Sequence, residues 1–388
     1  MDAVLKSEPL ARARRLGPVI AAAADEIERT QVVPPALLGE LHASRLFRMF
    51  LPRAVDGDEV EPWVYFGAIE EISRHDGSVG WNMFVANSAA LIAPFLERET
   101  RDTIFADPCA IVAWGPPNAC KAAAVPGGYR ISGEWGFASG CRQANWMGVH
   151  GNVVEADGSL RLNDAGRPTV RTLLFPAAHA VHVENWNTIG LRGTASEGYR
   201  LDDLFVPEAF STTREDPALR RLPGRLYAFP MQELYAVGVA AVAAGIARAM
   251  LEAFCCLAVQ KAPRGMQRLA ADAVVQAGVA RMEARLGAAR AYLVDILSDI
   301  WAGADERGVI GVRECARVRL ACTHAIQEAI AVAHFAYRTA GVDAIFSGMP
   351  LERRFRDIHT LSQQIQAREA HFTAVGRILL DEETEAFC

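Results

Sequence analysis

GGYRISGEWGFASGCRQANW, residues Gly127 to Trp146, is the stretch whose reading decides the fold. Gly127-Gly128 signals a turn and Tyr129-Arg130-Ile131 alternates as a short strand. Ser132-Gly133 turns again, and Trp135-Gly136-Phe137 alternates once more. The spacing predicts a β-hairpin with Trp135 and Phe137 on faces of a sheet. Its second strand runs into Ala138-Ser139-Gly140, one hydroxyl between two residues with almost no side chain. A flat ligand can approach such backbone closely while the hydroxyl offers it a hydrogen bond. A hairpin in a plain sandwich has the same spacing.

Outward from this stretch, Gly and Pro are frequent from about Ile111 to Val206 and short alternating runs recur. They are Ala110–Trp114, Tyr129–Ser132, Trp146–Val154, Arg171–Phe175, Val181–Glu184 and Tyr199–Phe205. Short strands with turn signals between them predict a compact β-domain, a sandwich or barrel. Within it, the loop Trp186 to Ser196 combines glycines, hydroxyls and Arg192, a composition suited to gripping an anionic or amide-bearing ligand; a bare surface loop can look the same.

Helices flank this region on both sides. Leu16–Thr30, Pro35–Arg45, Trp63–Arg74 and Ser78–Leu96 carry apolar residues at helical spacing, with His75-Asp76-Gly77 joining the last two. The Ser78 segment is apolar nearly all round, so it is expected between other helices; Asn82 and Asn87 within it are either satisfied core amides or the polar lining of a pocket. After a Pro/Arg-rich connector (Arg214 to Pro230), Met231–Leu257, Met266–Ala302, Val312–Thr339 and Leu351–Glu382 read as four long helices, an antiparallel bundle. The fold class is therefore α+β, mostly α, divided as 1–108 (N-terminal helical domain), 109–213 (central β-domain) and 214–388 (C-terminal four-helix bundle).

Composition limits the partners. The chain of 388 residues is 51% hydrophobic and 22% charged, ordinary for a globular protein with large cores. A net charge of -6 and a pI near 5.9 argue against nucleic acid or an anionic membrane as the main partner. The longest apolar run, Ala236 to Ile246, is short for a membrane span, and MDAVLKSEPLARARR lacks the apolar centre of a signal peptide, so a cytoplasmic protein is expected. The eight cysteines form no metal-type spacing and are expected as reduced thiols, with no metal site.

Gly133-Glu134-Trp135-Gly136-Phe137-Ala138-Ser139-Gly140, Gly190-Leu191-Arg192-Gly193-Thr194 with Leu204-Phe205-Val206-Pro207, and Arg356-Asp357 together resemble the acyl-CoA dehydrogenase superfamily over nearly the whole chain. The resemblance implies a flavin between the β-domain and the bundle, Phe137 against its ring system, Ser139 within hydrogen-bonding reach of N5, and the Leu191–Ser196 loop beside it. It assigns Trp135, Phe137, Ser139, Gly140, Leu191, Arg192, Gly193, Thr194, Ser196 and His359 to the cofactor. The family's dehydrogenases abstract an α-proton with a glutamate soon after the Arg-Asp pair. Here Gln364-Ile365-Gln366 stands there, and an amide is no base for a weak C–H acid. Some relatives carry the base on the first bundle helix, near Tyr235 here, with Glu233 on a different face of that helix.

A second branch is a better match. The chain is similar to the oxygenase components of two-component flavin-dependent monooxygenases, of the 4-hydroxyphenylacetate 3-hydroxylase type. Phe137-Ala-Ser-Gly-Cys141 with Trp146 downstream, Gly190–Thr194 and Arg356-Asp357-Ile358-His359 at the start of the last helix carry that likeness. It implies reduced FMN or FAD supplied by a separate reductase, reaction with O2, and oxygen transfer from a C4a-hydroperoxyflavin to a small, aromatic substrate. Ser139 and His359 are then the catalytic candidates, and Trp81, Asn82, Trp114 and Tyr235 the substrate candidates; Trp81, Trp114 and Phe229 also read as ordinary core. His359 reads alternatively as a helix-start residue paired with Asp357 or solvent. The dehydrogenases' Arg-x-x-Phe-Gly pyrophosphate grip is absent, Arg264-Gly265-Met266 being a remnant at best, which suits a diffusible flavin. The alternatives are an acyl-CoA dehydrogenase with FAD and a non-standard base, and a flavin-fold protein without chemistry that serves as a partner. The Ala/Gly-dense helix from Met231 predicts a homotetramer, or at least a dimer.

Overall fold

The computed structural model describes residues 7–118, 120–164, 166–213 and 216–382. The first six residues of the leader reading, Ala119, Arg214 and Glu215 of the connector, and the six C-terminal residues lie outside it. Helices α1 (Glu8–Thr30), α2 (Pro35–Ala43), α3 (Pro62–His75), α4 (Gly77–Ala90) and α5 (Arg98–Phe105) precede the strands. Helices α6 (Met231–Gln260), α7 (Ala273–Gly303), α8 (Val312–Ala340), α9 (Pro350–Leu361) and α10 (Ala370–Leu379) follow them. Pro62 opens α3, where a missing N–H costs nothing. Asp76 ends it in extended backbone and caps α4 through the Val79 N–H at 2.9 Å. α4 is buried at every position, as its all-round apolarity implies.

The predicted strands occur as β1 (Val112–Trp114), β3 (Gly128–Ala138), β4 (Trp146–Val154), β5 (Val170–Pro176), β6 (Val181–Val183) and β7 (Glu197–Pro207). Two further strands, β2 (Lys121–Val125) and β8 (Ser211–Thr212), are not marked in the sequence; Lys-Ala-Ala-Ala-Val has little of the β-branched or aromatic character that marks a strand. One ladder orders them β6-β7-β3-β2-β4-β5-β8, with β1 parallel to β4.

The expected hairpin in the opening stretch is instead one strand. β3 runs unbroken past Ser132-Gly133, paired along its length with β7, with register shifts between Ile131 and Gly133 and between Trp135 and Ala138. Gly133, at φ 156°, turns nothing back: it makes a β-bulge, and the Ser132 hydroxyl accepts the Asp203 N–H at 2.8 Å. The real turn is at Pro126-Gly127, between β2 and β3.

The helical readings need several adjustments: α1 begins at Glu8 rather than Leu16, and α7 begins at Ala273 rather than Met266, after a 3-10 turn at Leu269–Ala271. α4 stops at Ala90 rather than Leu96, α5 was not foreseen, and the segment Leu351–Glu382 is two helices with a 3-10 turn at Ile365–Ala367 between them. In α6, 30 residues are long and apolar enough to cross a membrane, so the apolar segment is longer than Ala236–Ile246; 83% of its most apolar stretch is buried within the fold. That burial removes the ground given above for an oligomer, because α6 is covered by its own chain. Cys315 is disulfide-bonded, which corrects the reading of all cysteines as reduced.

The β-strands enclose one core around Trp135, Tyr129, Tyr199, Met147 and Phe175. The N-terminal helices and the bundle share another, running from Leu10 to Ala367. Strand β3 ends at the junction of these two bodies.

Candidate functional site

Three segments meet where β3 ends: the turn Phe137–Gly140, the loop Trp186–Ser196 and the middle of α4. Phe137 has φ 59°, and the facing loop holds Leu191 at φ 50° and Ala195 at φ 40°. Side-chain-bearing residues enter this left-handed region at a cost, and three together need strong local bonding. That bonding is present. The Gly140 N–H donates to the Thr194 carbonyl (3.0 Å), Trp186 Nε1 to the Leu191 carbonyl (3.0 Å) and the Leu191 N–H to Asp357 Oδ1 (2.6 Å). Arg356 ties the Ile189 carbonyl (2.6 Å) to Glu28 of α1 (2.7 Å). Gly190 and Gly193 sit where a Cβ would strike the Arg356 backbone and the Ile27 side chain, so the loop can lie flat on α9 and α1 only with glycine there.

Phe137 is left 68% exposed, its ring edge-on to Trp186 at 6.1 Å. An exposed aromatic ring held in strained backbone presents a flat apolar face. Trp135, one side chain earlier on the strand, is 1% exposed and stacks on Tyr199 at 5.7 Å: it belongs to the β-core. Arg192 has a buried Nε with no partner among the described residues.

Behind Phe137 lies a chain of buried hydroxyls. Trp81 Nε1 of α4 donates to Ser139 Oγ (3.0 Å), and Ser139 Oγ lies 2.6 Å from Ser196 Oγ. Ser196 Oγ lies 2.7 Å from Thr194 Oγ1, which donates to the Leu191 carbonyl (2.8 Å). Asn82, next to Trp81, donates to the Gly193 carbonyl at 3.3 Å, while its Oδ1 is buried with no partner among the described residues. It lines a cavity of about 170 Å³ with Gly140 and Thr194. Asn87 is the satisfied core amide: it accepts from Phe50 N–H and donates to the Leu46 and Met83 carbonyls.

From Trp81 a line of edge-to-face aromatic contacts runs to Phe84 (4.8 Å) and on to Tyr235 of α6 (4.9 Å). Burial pushes the Tyr235 phenol well above its ordinary value, so it stays protonated. Trp114 lies apart from this line, on β1, edge-on to His150 at 5.2 Å. His150, hydrogen-bonded to Thr172 at 2.9 Å, lines a larger cavity of about 720 Å³ with Phe229, Gln366 and Arg319.

His359 lies in the last turn of α9, not at a helix start. Its ring packs on Phe355 (4.3 Å) and His334 of α8 (6.2 Å). Asp357 faces the Leu191 loop instead, so the pairing of His359 with Asp357 does not occur. Among the described residues no contact joins His359 to Ser139. Its Nε2 is buried with no partner among the described residues, and burial, then the neighbouring His334, lowers its pKa, so the ring is neutral at pH 7.

Glu233, two residues before Tyr235, is not a free base. It is fully buried and held by Arg319 through two hydrogen bonds, Nε to Oε2 at 3.2 Å and Nη2 to Oε1. Gln364 caps the turn after α9 by accepting from Gln366 N–H (2.6 Å). Cys141, His182 and Glu197 converge within 4.8 Å. Arg142 already neutralises Glu197, however, and burial pushes the Cys141 thiol up to about 12, so these groups form an ion pair beside a protonated thiol.

Phe84, Ser196's link to Thr194, and His150 were not singled out from the sequence. Phe84 sits three residues after Trp81 on a helix buried all round, so spacing gives it no distinction. The hydroxyl chain depends on the left-handed turn at Ala195, which no local motif announces.

The chain matches the family model described as acyl-CoA dehydrogenase, N-terminal domain, over residues 14–106 and that described as acyl-CoA dehydrogenase, C-terminal domain, over 237–369. It is 26% identical over 360 residues to an indole-3-acetate monooxygenase of Acinetobacter baumannii, covering 92% of this chain and 90% of that one. It is 33% identical over 207 residues to the oxygenase component of an FADH(2)-dependent resorcinol hydroxylase of Rhizobium sp., covering 53% and 49%. Among solved structures, XiaF from Streptomyces sp. in complex with FADH2 and glycerol superposes with a TM-score of 0.89 at 23% identity, covering 98% and 97%.

Proposed function

Since the chain belongs to the acyl-CoA dehydrogenase superfamily, we propose that it is the oxygenase component of a two-component flavin-dependent monooxygenase that hydroxylates a small aromatic substrate. The observation that carries this is the junction at the end of β3: an exposed, strained Phe137 beside a buried Trp81–Ser139–Ser196 hydrogen-bond chain. These residues fit a flat three-ring cofactor: one open aromatic face, one small flank at Gly140, and one hydroxyl at the ring edge. Relatives named for indole-3-acetate and resorcinol support an aromatic substrate. Reduced FMN or FAD from a separate reductase, when bound, supplies two electrons with which O2 gives one oxygen atom to the substrate and one to water.

In this reading Phe137 would offer its open face to the flavin ring system, and Ser139 would offer its hydroxyl at N5. Gly140 and the 191–196 loop would hold its rim, and the Arg192 guanidinium, whose buried Nε has no partner among the described residues, would offset negative charge on the cofactor. Trp81, Phe84 and Tyr235 form an apolar wall that excludes water from the reacting edge, and Asn82 Oδ1 is left to accept from a polar group. Trp114 backs His150, which lines the larger cavity. His359, neutral at pH 7, can hold or move one proton at Nε2. The dehydrogenase alternative loses its base to the Glu233–Arg319 pair. A cytoplasmic homotetramer with the division 1–108, 109–213 and 214–388 completes the proposal.

The test is isotopic. Protein, anaerobically reduced flavin and a panel of phenols and indoles are mixed with 18O2. A hydroxylated product carrying one heavy oxygen is expected. Product oxygen drawn only from water, or reduction of bound FAD by an acyl-CoA, would overturn the proposal.

A further inference from the structure

A hydroxyl has one proton to give and two lone pairs to receive with. In the chain behind Phe137 the direction of every proton can therefore be read from its ends. At one end Thr194 Oγ1 stands 2.8 Å from the Leu191 carbonyl oxygen, which cannot donate, so the Thr194 proton points there. Thr194 must then accept from Ser196 at 2.7 Å, and Ser196 must accept from Ser139 at 2.6 Å. At the other end the Trp81 indole can only donate, and it takes one lone pair of Ser139 at 3.0 Å. All four side chains are buried, Thr194 and Ser196 most deeply, so water does not scramble the order. Reversing it would set two bare oxygens against each other at the Leu191 end. Ser139 is left with its proton committed to Ser196 and one lone pair free.

We propose that this relay makes the site select the reduced over the oxidised flavin, with Thr194 and Ser196 as positioning residues that fix Ser139 as an acceptor. The inference rests on the reading that flavin N5 lies at Ser139. Reduced flavin carries a hydrogen on N5 and can donate to the free lone pair. Oxidised flavin presents a bare N5 lone pair, and two acceptors facing each other in a dry site repel. The same contact that holds the reduced cofactor thus expels the spent one.

The test is equilibrium binding. Kd is measured for reduced flavin (anaerobically) and oxidised flavin, FMN and FAD each, by fluorescence titration on the parent protein, Ser196→Ala, Thr194→Val and Ser139→Ala. Ser196→Ala frees the Ser139 proton. Thr194→Val leaves Ser196 only Ser139 to donate to, which reverses the relay and releases the same proton. Both should tighten oxidised flavin and lower the ratio of oxidised to reduced Kd about tenfold, the worth of one hydrogen bond. The bound-flavin midpoint potential should fall with it by about 30 mV for a two-electron couple. Two variants acting by different chemistry keep the test decisive if one fails to fold. An unchanged ratio in the folded variants, or an equal loss for both redox forms, overturns the relay. If Ser139→Ala alters neither Kd, the placement of N5 at Ser139 is what has failed; if it weakens reduced flavin while the ratio survives in the other two, only the relay has.

Discussion

Phe137 carries both an unfavourable backbone angle and an unfavourable surface, and a residue with both is held there by something outside the folding free energy of the chain. Replacing it by glycine removes the ring and relaxes φ. Phe137→Gly should therefore keep or slightly raise Tm in a thermal melt, by up to about 1 kcal/mol of stability, while weakening reduced-flavin binding about tenfold or more. A fall in Tm with unchanged flavin affinity would show the ring to be structural. His359 is the other residue-scale case. It is half-buried, its Nε2 has no partner among the described residues, and its ring packs on Phe355 and His334. His359→Ala should cost about 1 kcal/mol of stability but slow hydroxylation roughly 10²-fold, as for loss of a proton-transfer group; rapid-quench turnover beside a melt separates the two. Parent-rate turnover would remove His359 from the mechanism.

At the scale of elements, Asp357 joins α9 to the Leu191 loop, and its setting makes that joint sensitive to pH. Burial, then the nearby Asp76, pushes its carboxyl up to about 7; the Leu191 N–H and Arg356 oppose the rise and Glu28 adds to it. The folded protein keeps this proton to about pH 7, whereas the unfolded chain releases it near 3.8. The stability tied to the proton is thus fully present below 3.8 and is lost as pH rises to about 7. Asparagine mimics the protonated acid and its oxygen still accepts from Leu191. Asp357→Asn should raise Tm relative to the parent at pH 8, with the gain shrinking toward pH 4 in a melt series. A pH-independent loss would mean that the charge itself holds the loop. The Arg-Asp pair was legible in the sequence as a motif, but not as this joint, because its partner lies 166 residues away at Leu191. The same limit explains β3. Ser132-Gly133 has turn chemistry, and only the long pairing with β7 makes it a bulge. The break after α9 has no Pro or Gly to mark it; it is set by the Gln364 side chain capping the next turn. Elements with strong periodicity, such as β4 and α3, needed no such distant information.

For the whole molecule, the three segments of sequence pack around two large cores, because the N-terminal helices and the bundle share one. A homo-oligomer is still expected, on different ground from the apolarity of α6. Val342, Ile345, Phe346 and Met349, in the short segment between α8 and α9, are 67%, 59%, 60% and 41% exposed. Apolar side chains clustered in one exposed segment mark a contact with another chain. Sedimentation at micromolar concentration should give a dimer or tetramer, and Ile345→Asp with Phe346→Asp should shift it toward monomer with the fold intact. A parent protein that sediments as a monomer would end this reading.

Helix α6 has a consequence during synthesis that the finished fold conceals. It packs on α3, made long before it, and on α8, which is made after it. While the ribosome is still translating α7, a segment with the apolarity of a membrane anchor has only part of its cover, so for that interval the nascent chain is a substrate for chaperones and for the machinery that sorts proteins to membranes. The β-domain, with its own core already complete, has no such interval. The helix buried most widely among its neighbours in the mature fold is therefore the one left most exposed while the chain is being made.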